Sequence, residues 1–263
     1  MNIWVVVREV WDTRDLPGTP LDESGALRPG ALTTRFDPED LNALEAALRL
    51  KDEHGAQVTA LSMGAPRDVD VLRECLFRGV DAVRRVEADV EGLDDAALGA
   101  LAAGAIRAAG GADLVLVGTA VVDNENAMLG PYIAAGLGVE TVSWVDAIES
   151  VEPDRVVAKR AVEMGYEYVE VSLPAVLSLG VALLEDDPRA PRSAKAMLKL
   201  KMKKADIPVV GVAEAGLANP EEAVQTRVAA MESIPPRFIE SRDVDPEDPA
   251  ALKAMMDELV KGA

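Results

Sequence analysis

The residues best placed to do chemistry run from Gly118 through Thr119, Ala120, Val121, Val122, Asp123, Asn124, Glu125, Asn126, Ala127 and Met128 to Leu129. Ahead of them, Leu114-Val115-Leu116-Val117 has the continuous apolar character of a buried strand, and residues 127–137 read as an apolar helix. A parallel strand entering a helix N-terminus leaves backbone N–H groups unpaired at the positive end of the helix dipole. Nucleotide phosphates bind in such places. An ordinary strand-loop-helix unit that only builds a sheet has the same pattern, so both readings stand. The loop contains no Lys or Arg, which leaves phosphate recognition to the main chain.

Other chemistry is thin. His54 is the single histidine, beside Gly55 at a helix end, where it reads as solvent-facing. No His/Cys metal cluster and no Ser-His-Asp arrangement can be assembled. Cys75 is the single cysteine and lies in an apolar helical pattern, as a buried structural thiol would. A disulfide framework is excluded, and a cytoplasmic setting is expected. Asp94-Asp95 and Glu185-Asp186 read as solvated surface, as most carboxylates are.

The elements that must position the loop follow from the chain of 263 residues, 49% of them apolar. Residues 2–8 are a buried strand, and residues 9–35 an irregular excursion rich in Pro and Gly. A hairpin turning near Pro29-Gly30 is expected there, with residues 21–27 on one side and 31–36 on the other. So long an insertion suits a ligand or a partner. Asp37-Pro38 starts a helix, Asp as N-cap and Pro in the first turn, which runs through Lys51 and ends at Gly55. Strands at 57–62, 82–86, 113–118 and 138–142 alternate with helices at 68–79 and 94–109. The alternation predicts an α/β fold with a doubly wound, mostly parallel sheet and right-handed crossovers.

From Trp144 the pattern changes. Residues 145–151, 155–162 and 166–172, with the apolar run 173–178, read as an antiparallel ribbon added to that sheet. A loop at Asp186-Asp187-Pro188 precedes Lys195, Lys199, Lys201, Lys203 and Lys204. This cluster reads equally as a docking site for an acidic partner or as a solvated helix face. Beyond residue 205 come short helices at 220–231 and 248–261 with little strand, so residues 206–263 form an extended C-terminal arm on a domain of residues 1–205. The net charge of −19 excludes a nucleic-acid or anionic-membrane surface, and no apolar run reaches membrane-spanning length.

Along nearly its whole length the chain resembles the β (small) subunit of electron transfer flavoprotein. The resemblance rests on pieces in order: Val6-Val7-Arg8-Glu9-Val10-Trp11-Asp12; Asp37-Pro38 ahead of residues 43–51; Leu61-Ser62-Met63-Gly64; Gly118 through Gly130-Pro131; and Arg160 to Glu167 with Leu173-Pro174-Ala175-Val176. It implies a Rossmann-like sheet of the adenine-nucleotide α-hydrolase type. It also implies a heterodimer with a larger α subunit that holds a redox-active FAD. The β subunit would bind AMP, or a second FAD in electron-bifurcating members. The pair would take electrons from dehydrogenases and pass them to a quinone reductase or another acceptor. The loop at about 182–204 would dock on dehydrogenases, and the arm would pack on the α subunit. Carried over by position, the nucleotide site would comprise Val6, Asp37, Pro38, Glu39, Asp40, Met63 and the loop from Gly118 to Leu129. Val6 and Met63 would face adenine, and residues 126–129 would offer helix-start amides to phosphate. Side chains in this reading bind and do not catalyse.

The chain departs from the family pattern in places. Asn126-Ala127-Met128-Leu129 lacks the glutamine usual at the loop end, which removes a polar phosphate or ribose contact. Ala127 and Gly130-Pro131 lean towards the bifurcating pattern, whereas Asn126 and Met128 fit neither. Asp37 replaces an asparagine, and Glu39 an aromatic expected near the flavin. A carboxylate there would disfavour an anionic reduced flavin and lower its potential. Two other classes are weighed. A nucleotide-hydrolysing or ATP-pyrophosphatase enzyme needs a Ser-Gly-Gly-x-x-Ser-type loop after the first strand, and Val7-Arg8-Glu9-Val10 offers none. A stress-type ATP-binding module would leave the basic loop and the arm unexplained.

Overall fold

The computed structural model describes residues 1–14, 18, 20–22, 25, 27–64, 69–123, 125–180, 207–229, 244–245 and 247–261. The loop and lysine cluster expected at 182–204 lie outside these, as does Asn124.

A nine-stranded sheet organises the chain. It is built from β1 (Asn2–Val6), β4 (Gln57–Met63), β5 (Ala82–Glu87), β6 (Leu114–Gly118), β7 (Glu140–Val151), β8 (Arg155–Val162), β9 (Gly165–Ser172), β10 (Ala175–Leu179) and β11 (Val209–Gly211). Their spatial order is β11-β5-β4-β1-β6-β10-β7-β8-β9. From β11 to β7 every pairing is parallel, and β7, β8 and β9 form the antiparallel ribbon. The doubly wound sheet is as expected, and residues 140–172 supply the ribbon, but the apolar run 173–178 expected in that ribbon is instead β10, a buried strand that pairs parallel with both β6 and β7.

The helices α1 (Pro38–His54), α2 (Val69–Arg78), α3 (Asp95–Ala108) and α4 (Leu129–Leu137) divide between the two faces. Leu44, Leu48 and Ala47 of α1 and Leu72 and Cys75 of α2 pack with Ile3 and Val5 on one face. Leu101, Ala105 and Ile106 of α3 and Ile133 of α4 pack with Trp4 and Val6 on the other. Alternate residues of β1 thus serve opposite layers, as the period of a strand requires. Cys75 is fully buried, and His54 ends α1 with its side chain largely exposed. Gly55, at φ 66°, closes α1 by donating its N–H to the Lys51 carbonyl, a left-handed cap that favours glycine.

Four further details differ from the sequence expectation. The hairpin about Pro29-Gly30 is not formed: β3 (Thr34–Phe36) instead pairs antiparallel with β2 (Glu9–Trp11), and Leu21 bridges Leu27. The register puts buried Val10 and Phe36 against the core, which a local hairpin would leave half exposed. The two strands expected at 138–142 and 145–151 are one long strand, Glu140–Val151, with bulges opposite β8 and β10. Beyond residue 205 the chain returns one strand to the main sheet, β11 beside β5. The helix expected at 220–231 is a single 3-10 turn, Pro220–Ala223, and α5 (Pro249–Lys261) matches the last expected helix.

Candidate functional site

The sheet order reverses at β1: the chain moves outward through β4 and β5, then crosses over α3 to β6 on the other side of β1. At such a switch point the loops leaving neighbouring strands part and open a crevice at the carboxyl ends. Val6, Met63 and Gly118 end β1, β4 and β6, so the structure gathers these sequence-distant residues at one edge.

The start of α1 closes over that edge. The Asp37 side chain caps its own helix by accepting from the Glu39 and Asp40 amides at 2.9 and 3.3 Å. Its second oxygen accepts the Val122 amide at 3.1 Å. Glu39 accepts the Ala120 amide at 2.5 Å, and Asp40 accepts the Gly118 amide at 2.9 Å. Three carboxylates on one helix turn therefore take alternate amides of the loop after β6. Such an approach requires glycine at 118: a Cβ there would stand 2.6–2.8 Å from Asp40 and the Glu39 backbone.

The Asp40 carboxylate is fully buried and is matched by Arg8, whose Nε and Nη2 reach its two oxygens at 2.9 and 2.7 Å. The Arg8 amide adds a third bond at 2.7 Å, and Nη2 also donates to the Gly118 carbonyl at 3.0 Å. Although burial works against the charge, Asp40 holds the guanidinium firmly protonated. Asp37 has no such counter-charge. Burial and the neighbouring Asp40 push its carboxyl up to about 7, against Arg8 and the amides it accepts. Burial raises Glu39 and Asp95 in the same way.

The acidic pair Asp94-Asp95 is not solvated surface, contrary to the sequence reading. Asp94 is the N-cap of α3, accepting the Ala97 amide at 3.1 Å, and Asp95 is buried. Asp95 accepts the Met128 amide at 3.0 Å. The helix-start amide expected for phosphate is thereby already paired. A loop poor in cations is held by carboxylates from two helices, and the signal in the sequence was the Asp at each helix start.

Not every expected site residue faces outward. Val6 is fully buried against Leu61 and Val117, and Thr119 and Leu129 are also buried. Val121 is buried and Pro38, Ala120, Val122, Asn126 and Ala127 are partly so, while Asp123, Glu125 and Met128 are exposed. Trp11 donates its amide to Asp123, tying the β2 excursion to the loop. Sequence reading omitted Arg8, Asp94 and Asp95 from the site. A cavity of about 780 Å³ lies beside the loop, lined by Gly92, Leu93, Asp94, Asn126, Thr226, Arg227 and Val228. No group of three or more His, Cys, Asp or Glu that could hold a metal occurs among the described residues.

Residues 31–231 match the family model of the electron transfer flavoprotein domain. The chain belongs to the electron transfer flavoprotein family. It is 37% identical over 179 residues to an electron transfer flavoprotein subunit beta of Clostridium acetobutylicum, covering 68% of each chain. It is 36% identical over 191 residues to the caffeyl-CoA reductase-Etf complex subunit CarD of Acetobacterium woodii, covering 72% of this chain and 71% of that relative. Protein FixA of Azorhizobium caulinodans is 33% identical over 226 residues, covering 83% and 78%. The family expected from the ordered motifs is thus the one found, and several of the similar chains are named as its subunit beta. Among the described residues no helix is long and apolar enough to cross a membrane.

Proposed function

We propose that this chain is the β subunit of a two-subunit electron carrier, binding an adenine nucleotide beside the loop of residues 118–129 and pairing with a larger FAD-bearing subunit. The observation that carries the reading is the convergence of Val6, Met63, Gly118 and the start of α1 at the sheet's switch point, with the loop that leaves it lining a cavity through Asn126. The cavity has the size of a small-ligand pocket, so an AMP moiety fits the residues present. Asn126 would supply a polar contact, and Met63 lies at a neighbouring strand end. Asp37, Glu39 and Asp40 hold the loop's shape and do not themselves bind anion. A flavin, where bound, supplies the electron-accepting chemistry, and this chain's side chains position and shield it.

A second reading, with FAD in this chain in place of AMP, draws support from Ala127 and Gly130-Pro131. The likeness to a subunit named for a reductase-Etf complex points the same way. Purification of the chain with its large subunit, followed by release and identification of nucleotides, separates the two. One FAD with one AMP per pair supports the carrier with AMP in this chain. Two FAD without AMP supports the second reading, and a complex free of nucleotide refutes both. Dehydrogenase donors and a quinone-reductase acceptor belong to the same proposal and are tested by reduction assays on the assembled pair.

A further inference from the structure

The loop of residues 118–129 presents a problem for binding an anion. It carries no cation, and its Gly118, Ala120, Val122 and Met128 amides are taken by Asp40, Glu39, Asp37 and Asp95. Arg8, which reaches the start of the loop, is committed to Asp40 and the Gly118 carbonyl. A phosphate bound there would need positive charge from another segment of the chain.

The arm brings one. Asp94 uses one carboxylate oxygen to cap α3 and the other to accept from the Gln225 amide, the Thr226 amide and the Thr226 hydroxyl at 2.9, 2.7 and 2.9 Å. Against a cost of burial, the Ala97 amide, the Thr226 hydroxyl and the arm amides keep this carboxyl below its usual range, so the clamp stays charged. Tyr132 of α4 holds the Gln225 side chain at 3.1 Å. The next residue, Arg227, lines the cavity with Asn126. Among the described residues it has no hydrogen-bond or ion-pair partner, although the chain carries a net charge of −19. Its guanidinium fork suits a phosphate.

We propose that Arg227, seated by the Asp94 clamp, binds the 5′-phosphate of an adenosine nucleotide in this cavity. The proposal rests on the nucleotide reading above and adds the residue that recognises the phosphate. AMP and the ADP half of FAD present the same group, so either serves. Asp94 and Thr226 are positioning residues, because they act through the arm.

The test is calorimetric titration of the full-length chain, freed of nucleotide, with AMP, FAD and adenosine. Arg227→Gln is exposed and unpaired, so it leaves the fold intact. It is expected to weaken AMP or FAD binding about tenfold, leave adenosine unchanged and flatten the salt dependence of affinity. Arg227→Lys retains most of the affinity, and Thr226→Val gives an intermediate loss. Unchanged phosphate-ligand affinity in Arg227→Gln, or an equal loss for adenosine, overturns the proposal while the nucleotide reading stands. Wild-type chain that binds none of the three ligands brings down both.

Discussion

At the scale of residues, the site is held by carboxylates, and their charge states are set by who answers them. Asp40 is answered by Arg8 with a two-pronged buried contact. Removing one partner strands the other charge, so Asp40→Ala is expected to cost about 3–5 kcal/mol in urea denaturation. A loss below about 1 kcal/mol would mean that Arg8 finds water instead. Asp37 lacks a dedicated cation, and burial lifts its carboxyl to about 7 from an ordinary value near 3.8. A folded pKa above the unfolded one means that the folded state binds more protons between those values. Stability from this group is full below pH ~3.8 and is lost as pH rises through about 7. Melting temperature is therefore expected to fall between pH 5 and pH 8, and Asp37→Asn should flatten that slope. An identical slope in the variant would assign the dependence to Glu39 or Asp95, both raised by burial. Because Glu39 accepts the Ala120 amide, Glu39→Gln tests its charge more cleanly than Glu39→Phe. The flavin midpoint potential of the assembled pair is expected to rise, and no change would end the charge argument. The Asp-Pro start of α1 was legible in the sequence as a cap. That the cap's spare oxygen and its two acidic neighbours reach the Gly118 loop was not, because those contacts span about eighty residues of chain.

At the scale of elements, α3 is where the arm meets the domain. Its N-cap Asp94 clamps residues 225–226, and a Cβ at Gly104 would overlap the Ala215 carbonyl. Alanine is ordinarily the better helix residue by about 1 kcal/mol. Here the obstacle is backbone and cannot rotate away, so overpacking of about 1–3 kcal/mol prevails. Gly104→Ala is expected to free the arm and speed its cleavage in limited proteolysis after residue 212, with the sheet domain intact. Cleavage at the wild-type rate would show that the Asp94 clamp, the Tyr132–Gln225 bond and the β11–β5 pairing retain the arm without the Gly104 contact. The apolar runs and their alternation revealed the parallel strands and the ribbon, since burial of one or both strand faces imposes a period on sequence. The pairing of β3 with β2 was not visible. Two short half-buried strands carry little pattern, and their register depends on which side chains reach the core.

At the scale of the whole molecule, the described part of the arm ends in apolar surface without a cover. Met256, Leu259 and Val260 on α5 are 61–78% exposed, and Val228 is 78% exposed. The larger subunit proposed above would cover them. Binding of the large subunit at one hundred times its dissociation constant should add about 2.7 kcal/mol to apparent stability. The expected result is a melting temperature for the pair several degrees above that of the chain alone. A stable, monodisperse monomer with the same melting temperature as the complex would contradict that expectation.

By itself, the sequence determined the layered α/β fold and the family, because each depends on local period, caps and the order of motifs. Which groups meet there was decided by the tertiary structure. Asp94 and Asp95 looked like surface until α3 crossed the sheet and brought them to the loop and the arm. Nothing in the sequence singles out Arg227, which the tertiary structure places on the cavity beside Asn126. Hydrogen-bond partners are chosen by distance in space, and packing alone sets that distance for residues so far apart in sequence.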